Sequence, residues 1–222
     1  MHKKIIVTGA TGNLGSAVVS TFLNAGDVVF GVGHKKESLH LKKKGHWHAG
    51  VDLQDAHATG ILIQEIFEKE PVIDMLVCTA GGFIPGKLVN VKEGDMLEQI
   101  QLNFMTCFNI VQAILPHFIK QTEGKIFLVG SKPGLNMENG SNSVAYALSK
   151  SLIFRFAELL NHEYQNIGIS TYVLVPETID TPENRASMPQ QNFAEWVSPD
   201  TIAKTIKKHF DQPAVKNPII SF

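Results

Sequence analysis

The segment from Lys4 to Gly15 constrains this chain more than any other. A short β-forming run, Lys4-Ile5-Ile6-Val7, leads into Thr8-Gly9-Ala10-Thr11-Gly12-Asn13-Leu14-Gly15, and an amphipathic helical pattern over Leu14–Asn24 follows at once. A strand that turns straight into a helix through three glycines has few architectures open to it. Gly9 permits the tight turn, Gly12 lets the backbone approach a bound group, and Gly15 lets the helix pack close to the strand. The helix then begins with free N–H groups and the positive end of its dipole, a setting suited to phosphate.

The rest of the chain repeats this alternation. Strands are expected at Lys4–Thr8, Asp27–Gly33, Trp47–Val51, Ile73–Thr79, Lys125–Gly130, Ile169–Val175 and Pro218–Phe222. Helical patterns lie near Leu14–Asn24, Gly60–Glu68, Gly94–Lys120, Ala145–Gln165 and Pro199–Phe210. Most strand candidates are continuous Val/Ile/Leu runs, as required when both faces of a parallel sheet are covered. Right-handed crossovers then give a Rossmann-like, doubly wound α/β sheet of about seven strands in the order 3-2-1-4-5-6-7. A single domain over residues 1–222 is expected. Its one exception is a polar, proline-punctuated segment at about 177–197, read as a substrate lid.

Composition narrows the partners. Charged residues make up 18% and the formal net charge is −1, so neither nucleic acid nor an anionic membrane surface is indicated, and a small-molecule substrate is expected. No apolar run in the sequence approaches the ~18–20 residues of a membrane span, and Met1-His2-Lys3-Lys4 runs straight into a strand rather than a signal peptide. The two cysteines, Cys78 and Cys107, sit in apolar segments and read as buried free thiols, which points to a reducing cytoplasm.

The glycine loop, placed between the first strand and its helix, suits the pyrophosphate of a dinucleotide. The second strand ends at Gly33-His34-Lys35-Lys36, with no acidic residue where NAD-preferring proteins hold the ribose 2′-hydroxyl. Basic groups there favour NADP(H), with NAD(H) also open; the alternative is that Lys35 and Lys36 simply begin a solvated helix face. Asp52, with Leu53 after it, follows the third strand and suits either the adenine amino group or a helix cap. His46 and His48 share one side of their strand, but no third ligand accompanies them and no metal is expected.

The chemistry centres on Tyr146-Ala147-Leu148-Ser149-Lys150. Spacing four puts Tyr146 and Lys150 on one helix face, where an ammonium is expected to lower the phenol pKa and ready it for proton transfer to or from a substrate oxygen. Ser131, at the end of the strand Lys125–Val129, can donate to that oxygen. Asn103 could hold a water linking Lys150 to solvent, or could equally be a polar residue satisfied between helices. Ser149 and Ser151 read as packing or helix-surface residues.

These motifs, in this order, resemble the short-chain dehydrogenase/reductases over nearly the whole chain. The resemblance rests on Gly9/Gly12/Gly15, Asp52-Leu53, Thr79-Ala80-Gly81-Gly82, Asn103, Ser131, and Tyr146 with Lys150. It implies cofactor contacts from the loop residues Thr11, Asn13 and Leu14, from Ala80, Gly81 and Gly82, and from Lys150 to the nicotinamide ribose. Pro176-Glu177-Thr178-Ile179-Asp180-Thr181 is similar to the family's Pro-Gly-x-x-x-Thr stretch, with Glu177 in place of glycine. That likeness assigns the nicotinamide carboxamide to Ile179 and Thr181. The loop spacing G-x-x-G-x-x-G and the pair Cys78-Thr79 depart from the commoner family pattern without removing a catalytic group.

Within the family, Ala80–Phe83, Val129–Lys132 and above all Leu174–Pro189 resemble dihydropteridine reductases. Two features differ from that branch: Gly33 stands where it carries Asp, and Ser131 is present where it manages without a serine. The expected activity is therefore hydride transfer from NAD(P)H to a carbonyl or pterin-like acceptor, with Phe83 and Met188 against the substrate. The alternative is an NADP-sensing regulator without turnover, against which Ser131, Tyr146 and Lys150 together argue. The apolar content of the helices at 94–120 and 145–165, including Phe104, Phe108, Ile153, Phe154 and Phe156, exceeds one core stripe and leads to an expected homodimer or homotetramer.

Overall fold

Neighbouring strands in this protein all run parallel, so every connection must cross over one face of the sheet. The computed structural model describes residues 2–33, 45–136, 140–215 and 218–222. Its strands are β1 (Lys4–Thr8), β2 (Val28–Gly33), β3 (His46–Ala49), β4 (Met75–Cys78), β5 (Gly124–Val129), β6 (Ile169–Val175) and β7 (Ile219–Ser221). They form one sheet in the order β3-β2-β1-β4-β5-β6-β7, the expected topology. Boundaries shift from the sequence reading by a residue or two, as element ends do.

Alternation within β1 divides the core. Ile5 and Val7 face a layer built by α1 (Asn13–Asn24) and α8 (Pro199–Asp211), where Val18 and Phe22 meet Ile202, Ile206 and Phe210. Ile6 faces the opposite layer, where α2 (Ala56–Lys69), α4 (Thr106–Gln121) and α6 (Val144–Tyr164) bring Ile63, Ile110, Ile114 and Ile153 together. Both cysteines are buried free thiols in this second layer. Among the described residues the remaining α-helices are α3 (Glu93–Ile100), α5 (Lys132–Leu135) and α7 (Pro182–Ser187).

Helix α3 continues through a π-helical turn, Gln101–Met105, into α4. By length and composition the resulting helix Glu93–Gln121 would reach across a membrane, which the sequence reading did not anticipate, yet 44% of its apolar window is buried. Cys107, Ile110, Val111, Ile114 and Phe118 all face the protein core, and α4 packs against α2, as a core helix does.

At the opposite end of the sheet from the strand C-termini, Lys125 on β5 caps α8. Its Nζ donates to the carbonyls of Phe210 (2.8 Å) and Gln212 (2.6 Å), which have no intrahelical donor. Burial holds its pKa below the usual lysine value. Lys125→Met is expected to cost about 1–3 kcal/mol, because charge-assisted bonds are lost and carbonyls are left unpaired; urea unfolding reads the change.

Candidate active site

The sheet order turns between β1 and β4, and the crevice beyond their C-terminal ends is where open α/β sheets take ligands. Gly9 adopts φ +61°, and a Cβ there would lie 2.8 Å from the Ala80 nitrogen. A Cβ on Gly15 would fall 2.1 Å from the Gly9 carbonyl oxygen. Gly12 is the N-cap of α1, with no side-chain cap and no acidic residue in the first turn, so no side chain of this helix claims its positive end. The Thr79 hydroxyl donates to the Thr8 carbonyl (2.7 Å) and ties β4 to β1 beneath the loop. Gly15→Ala is expected to abolish nucleotide binding, since backbone must move to admit the methyl group; fluorescence titration with NADPH and thermal melting together separate lost binding from lost folding.

A cleft of about 490 Å³ opens over this loop, lined by Gly9, Thr11, Gly12, Gly33, Asp52, Leu53, Ala80, Gly81 and further residues from β2 and the π turn. Its glycine floor and uncapped helix end fit a dinucleotide. Leu14 points into the core beneath, so only its backbone is available to a ligand. Asn13 reaches out and donates to Glu183 Oε2 (2.8 Å), a contact the sequence reading did not foresee. Gly33 ends β2, and a Cβ there would meet Thr11 at 3.0 Å. His34 and Lys35 lie outside the described residues. The two readings of Asp52 also separate: Asp55, not Asp52, caps α2 by accepting from the His57 and Ala58 amides, while Asp52 accepts from the Gln54 amide at the cleft edge.

Beyond the cleft, Ser131, Tyr146 and Lys150 come together. Ser131 follows β5, caps α5 by accepting from the Gly134 amide (3.1 Å), and sets its side chain close enough to Tyr146 to ease ionisation of the phenol. Tyr146 and Lys150 lie one turn apart at the start of α6, and Lys150 Nζ is 5.9 Å from the Tyr146 ring centroid. A hydrogen bond from Nζ to the Val129 carbonyl (2.7 Å) holds the buried lysine. Phe83, 60% exposed, meets the Tyr146 ring edge-on at 5.0 Å. Its loop is pinned to the start of α6 by the Gly86–Ser143 bridge.

The titration behaviour differs from the sequence expectation. Tyr146 is pushed above the usual phenol value by burial, and the nearby Ser131 side chain draws it partly back. Lys150 is not what tunes it, because the ammonium is held toward Val129 and burial lowers the lysine itself to about 8. Asn103, on the π turn, is almost wholly buried. Its side chain accepts from the Gly82 amide (3.0 Å) and donates toward the Gly82 carbonyl, Gln99 and Ser149. It therefore clamps the Ala80–Gly82 turn to the helix, with Gly81 and Lys150 beside it.

The segment after β6 carries structure that the sequence reading left as loop. Thr181 caps α7 by accepting from the Asn184 amide (3.1 Å), and Asn184 in turn donates to the Ile179 carbonyl (2.8 Å). A parallel bridge between Ile179 and Val197 joins the two ends of the segment. Arg185 makes a two-pronged ion pair with Asp180, which keeps the aspartate below the usual carboxylate range, and lies over the Phe193 ring. Met188, half-buried, ends α7, and Pro176 follows β6 directly. The missed helices had a legible signal: Ser131-Lys132-Pro133 and Thr181-Pro182-Glu183 both set a hydroxyl cap before an early proline.

Among known proteins, a family model described as short chain dehydrogenase matches residues 3–192. The oxidoreductase UcpA of Escherichia coli (strain K12) is 26% identical over 98% of this chain and 83% of its own length. The 3-oxoacyl-[acyl-carrier-protein] reductase FabG of Buchnera aphidicola (subsp. Acyrthosiphon pisum) is 28% identical over 79% and 72%. The NADP-bound structure of ElxO superposes with a TM-score of 0.90 at 20% identity, covering 100% of this chain and 97% of ElxO.

Proposed function

The chain belongs to the short-chain dehydrogenase family, and from that premise we propose that it is an NAD(P)H-dependent reductase acting on a carbonyl or pterin-like acceptor, with Tyr146 as proton donor. The observation that carries the proposal is the gathering of Ser131, Tyr146 and, one helical turn on, Lys150 beside a glycine-floored cleft. A bound nicotinamide dinucleotide supplies the hydride. Ser131 Oγ already accepts from Gly134, so its hydroxyl can turn from Tyr146 to donate to a substrate oxygen. Tyr146, kept protonated by burial, gives that oxygen its proton. Lys150 serves the nicotinamide ribose, and Asn103 either carries a water that resupplies protons or acts only through its clamp on Gly82.

In the same reading Gly9, Thr11, Gly12, Asn13, Leu14 and Gly15 cradle the pyrophosphate, and Asp52 and Leu53 take the adenine. Ala80, Gly81 and Gly82 line the cofactor, while Pro176, Ile179 and Thr181 hold the carboxamide. NADP(H) is favoured because β2 ends at Gly33 without a carboxylate and His34 and Lys35 follow; that ElxO binds NADP agrees with this. A pterin acceptor is supported by the likeness of Leu174–Pro189 to dihydropteridine reductases, and the exposed Phe83 ring offers a flat acceptor a face. The segment 177–197 acts as the lid, with Met188 toward the substrate. Phe104, Phe108 and Phe156 form a half-buried aromatic cluster, with ring centroids 5.6–5.9 Å apart. Leu97, Leu148 and Leu159 are exposed on the same helices, which supports pairing of two copies, whereas Ile153 and Phe154 belong to the protomer's own core. A cytoplasmic setting suits the two free thiols. No observation favours the regulator without turnover.

The test is steady-state oxidation of NADPH and NADH with quinonoid dihydropteridine and a panel of small ketones. Pterin-dependent turnover with NADPH supports the full reading. Turnover with ketones alone removes the pterin, and tight NADPH binding with no acceptor reduced across an enlarged panel removes the reductase.

A further inference from the structure

Helix α5 is a single turn of four residues, too short to hold its own shape, yet it orients Ser131. On its inner side it is seated against α6: a Cβ on Gly134 would lie 2.7 Å from the Lys150 Cβ. On its outer side, Lys132 Nζ pairs with Glu177 Oε2 at 2.5 Å. Lys132 is the first residue of this helix, where a cation opposes the dipole, so its position is explained by what it reaches rather than by helix stability. Glu177 stands two residues past the end of β6, and Ser131 two past the end of β5. The two strands stay paired up to Val129 and Leu174, and the Gly130 amide still donates to the Leu174 carbonyl (2.8 Å). Beyond that point the chains part, one into α5 and the other toward α7, and the ion pair bridges the gap.

We propose that Lys132 and Glu177 are positioning residues: their ion pair is a strut that sets Ser131 against Tyr146 and couples the catalytic serine to the base of the 177–197 segment. This rests on the reductase reading for its catalytic consequence, but not for its geometry. Glu177 occupies the place where the resembling family carries glycine, so the strut is a property of this chain. With the strut broken, α5 is held on one side only and Ser131 draws away from Tyr146.

The experiment uses carbon-labelled tyrosine in the full-length protein, following the Tyr146 resonance (identified by its loss in Tyr146→Phe) against pH, together with steady-state kinetics. In Lys132→Met and Glu177→Gln the Tyr146 midpoint is expected to rise toward that of Ser131→Ala by about half a unit or more, since the influence of Ser131 that favours the phenolate is weakened. Values of kcat are expected to fall about 5–20-fold with the nucleotide KM unchanged. The exchanged double variant, Lys132→Glu with Glu177→Lys, is expected to recover both to within about threefold. Single variants that titrate like wild type, or an exchange no better than the single variants, overturn the strut. If the wild type reduces no acceptor, the reductase reading fails, and the tyrosine titration still decides the strut.

Discussion

Tyr146→Phe is expected to lower kcat by about 10²–10⁴-fold, the range a positioned general acid supplies, while NADPH binding stays within a few-fold of wild type. The substitution removes one hydroxyl and keeps the ring, so the edge contact with Phe83 and the packing of α6 survive. Ser131 remains to polarise the substrate oxygen, but nothing replaces the proton. The pH dependence follows from the direction of the shift. Burial raises the Tyr146 pKa above its usual value, so through neutral pH the group is a protonated donor. Reduction should therefore hold its rate through neutral pH and fall only on the alkaline side, whereas the reverse oxidation, which needs the phenolate, should climb with pH. Single-turnover measurements in both directions check this. Retention of most of the reductive kcat in Tyr146→Phe would remove Tyr146 from the reaction.

The second large effect separates activity from stability. Lys150→Met is expected to abolish turnover and yet to leave the fold up to about 2 kcal/mol more stable at pH 7. Lys150 is buried, and its pKa falls from 10.5 to about 8 because burial penalises the ammonium. Such a displacement corresponds to roughly 3 kcal/mol of strain in the folded state. Methionine removes it, at the loss of the charge-assisted bond to the Val129 carbonyl, worth about 1–3 kcal/mol. The sign is fixed by proton binding. Between about pH 8 and 10.5 the unfolded chain holds a proton on Lys150 that the folded protein has released, so wild-type stability rises with pH across that window. The advantage of Lys150→Met should accordingly be full below pH 8 and shrink as pH approaches 10.5. Urea unfolding of both proteins at several pH values reads it directly. A variant less stable than wild type at pH 7 would mean the lysine is held there by interactions that outweigh its burial.

Much of this architecture was legible before any coordinates because it depends on local pattern. Short apolar runs such as Met75–Cys78, set between turn signals, read as strands covered on both faces, and Gly9 and Gly15 stand where any side chain would strike backbone. The spacing of Tyr146 and Lys150 was equally readable, since a helix brings residues four apart to one face. What pattern does not encode is how a side chain is spent. Asn103 looked as free for a water as for a helix contact, and only the turn at Gly82, brought to it by the fold, shows what its amide holds. The expectation that Lys150 tunes Tyr146 failed for a similar reason. Spacing gives proximity, but the Val129 carbonyl, delivered by another strand, decides where the ammonium lies. The contacts Asn13–Glu183 and Lys132–Glu177 join segments far apart in the chain and leave no local trace.

The pairing of α1 with α8 has a consequence for how the protein is made. Strand β1 and helix α1 place Ile5, Val18 and Phe22 in a layer whose other half, Ile202, Ile206 and Phe210, comes from α8, made far later along the chain, and Phe22 meets Phe210 edge to face at 6.0 Å. Until α8 emerges, that face of the nascent chain has no lasting cover, and the nucleotide loop at the head of α1 stands on an unfinished support. Contacts between such distant segments form late and slowly. A chain of this design exposes apolar surface until α8 has been made, and the nucleotide loop gains its full support only then.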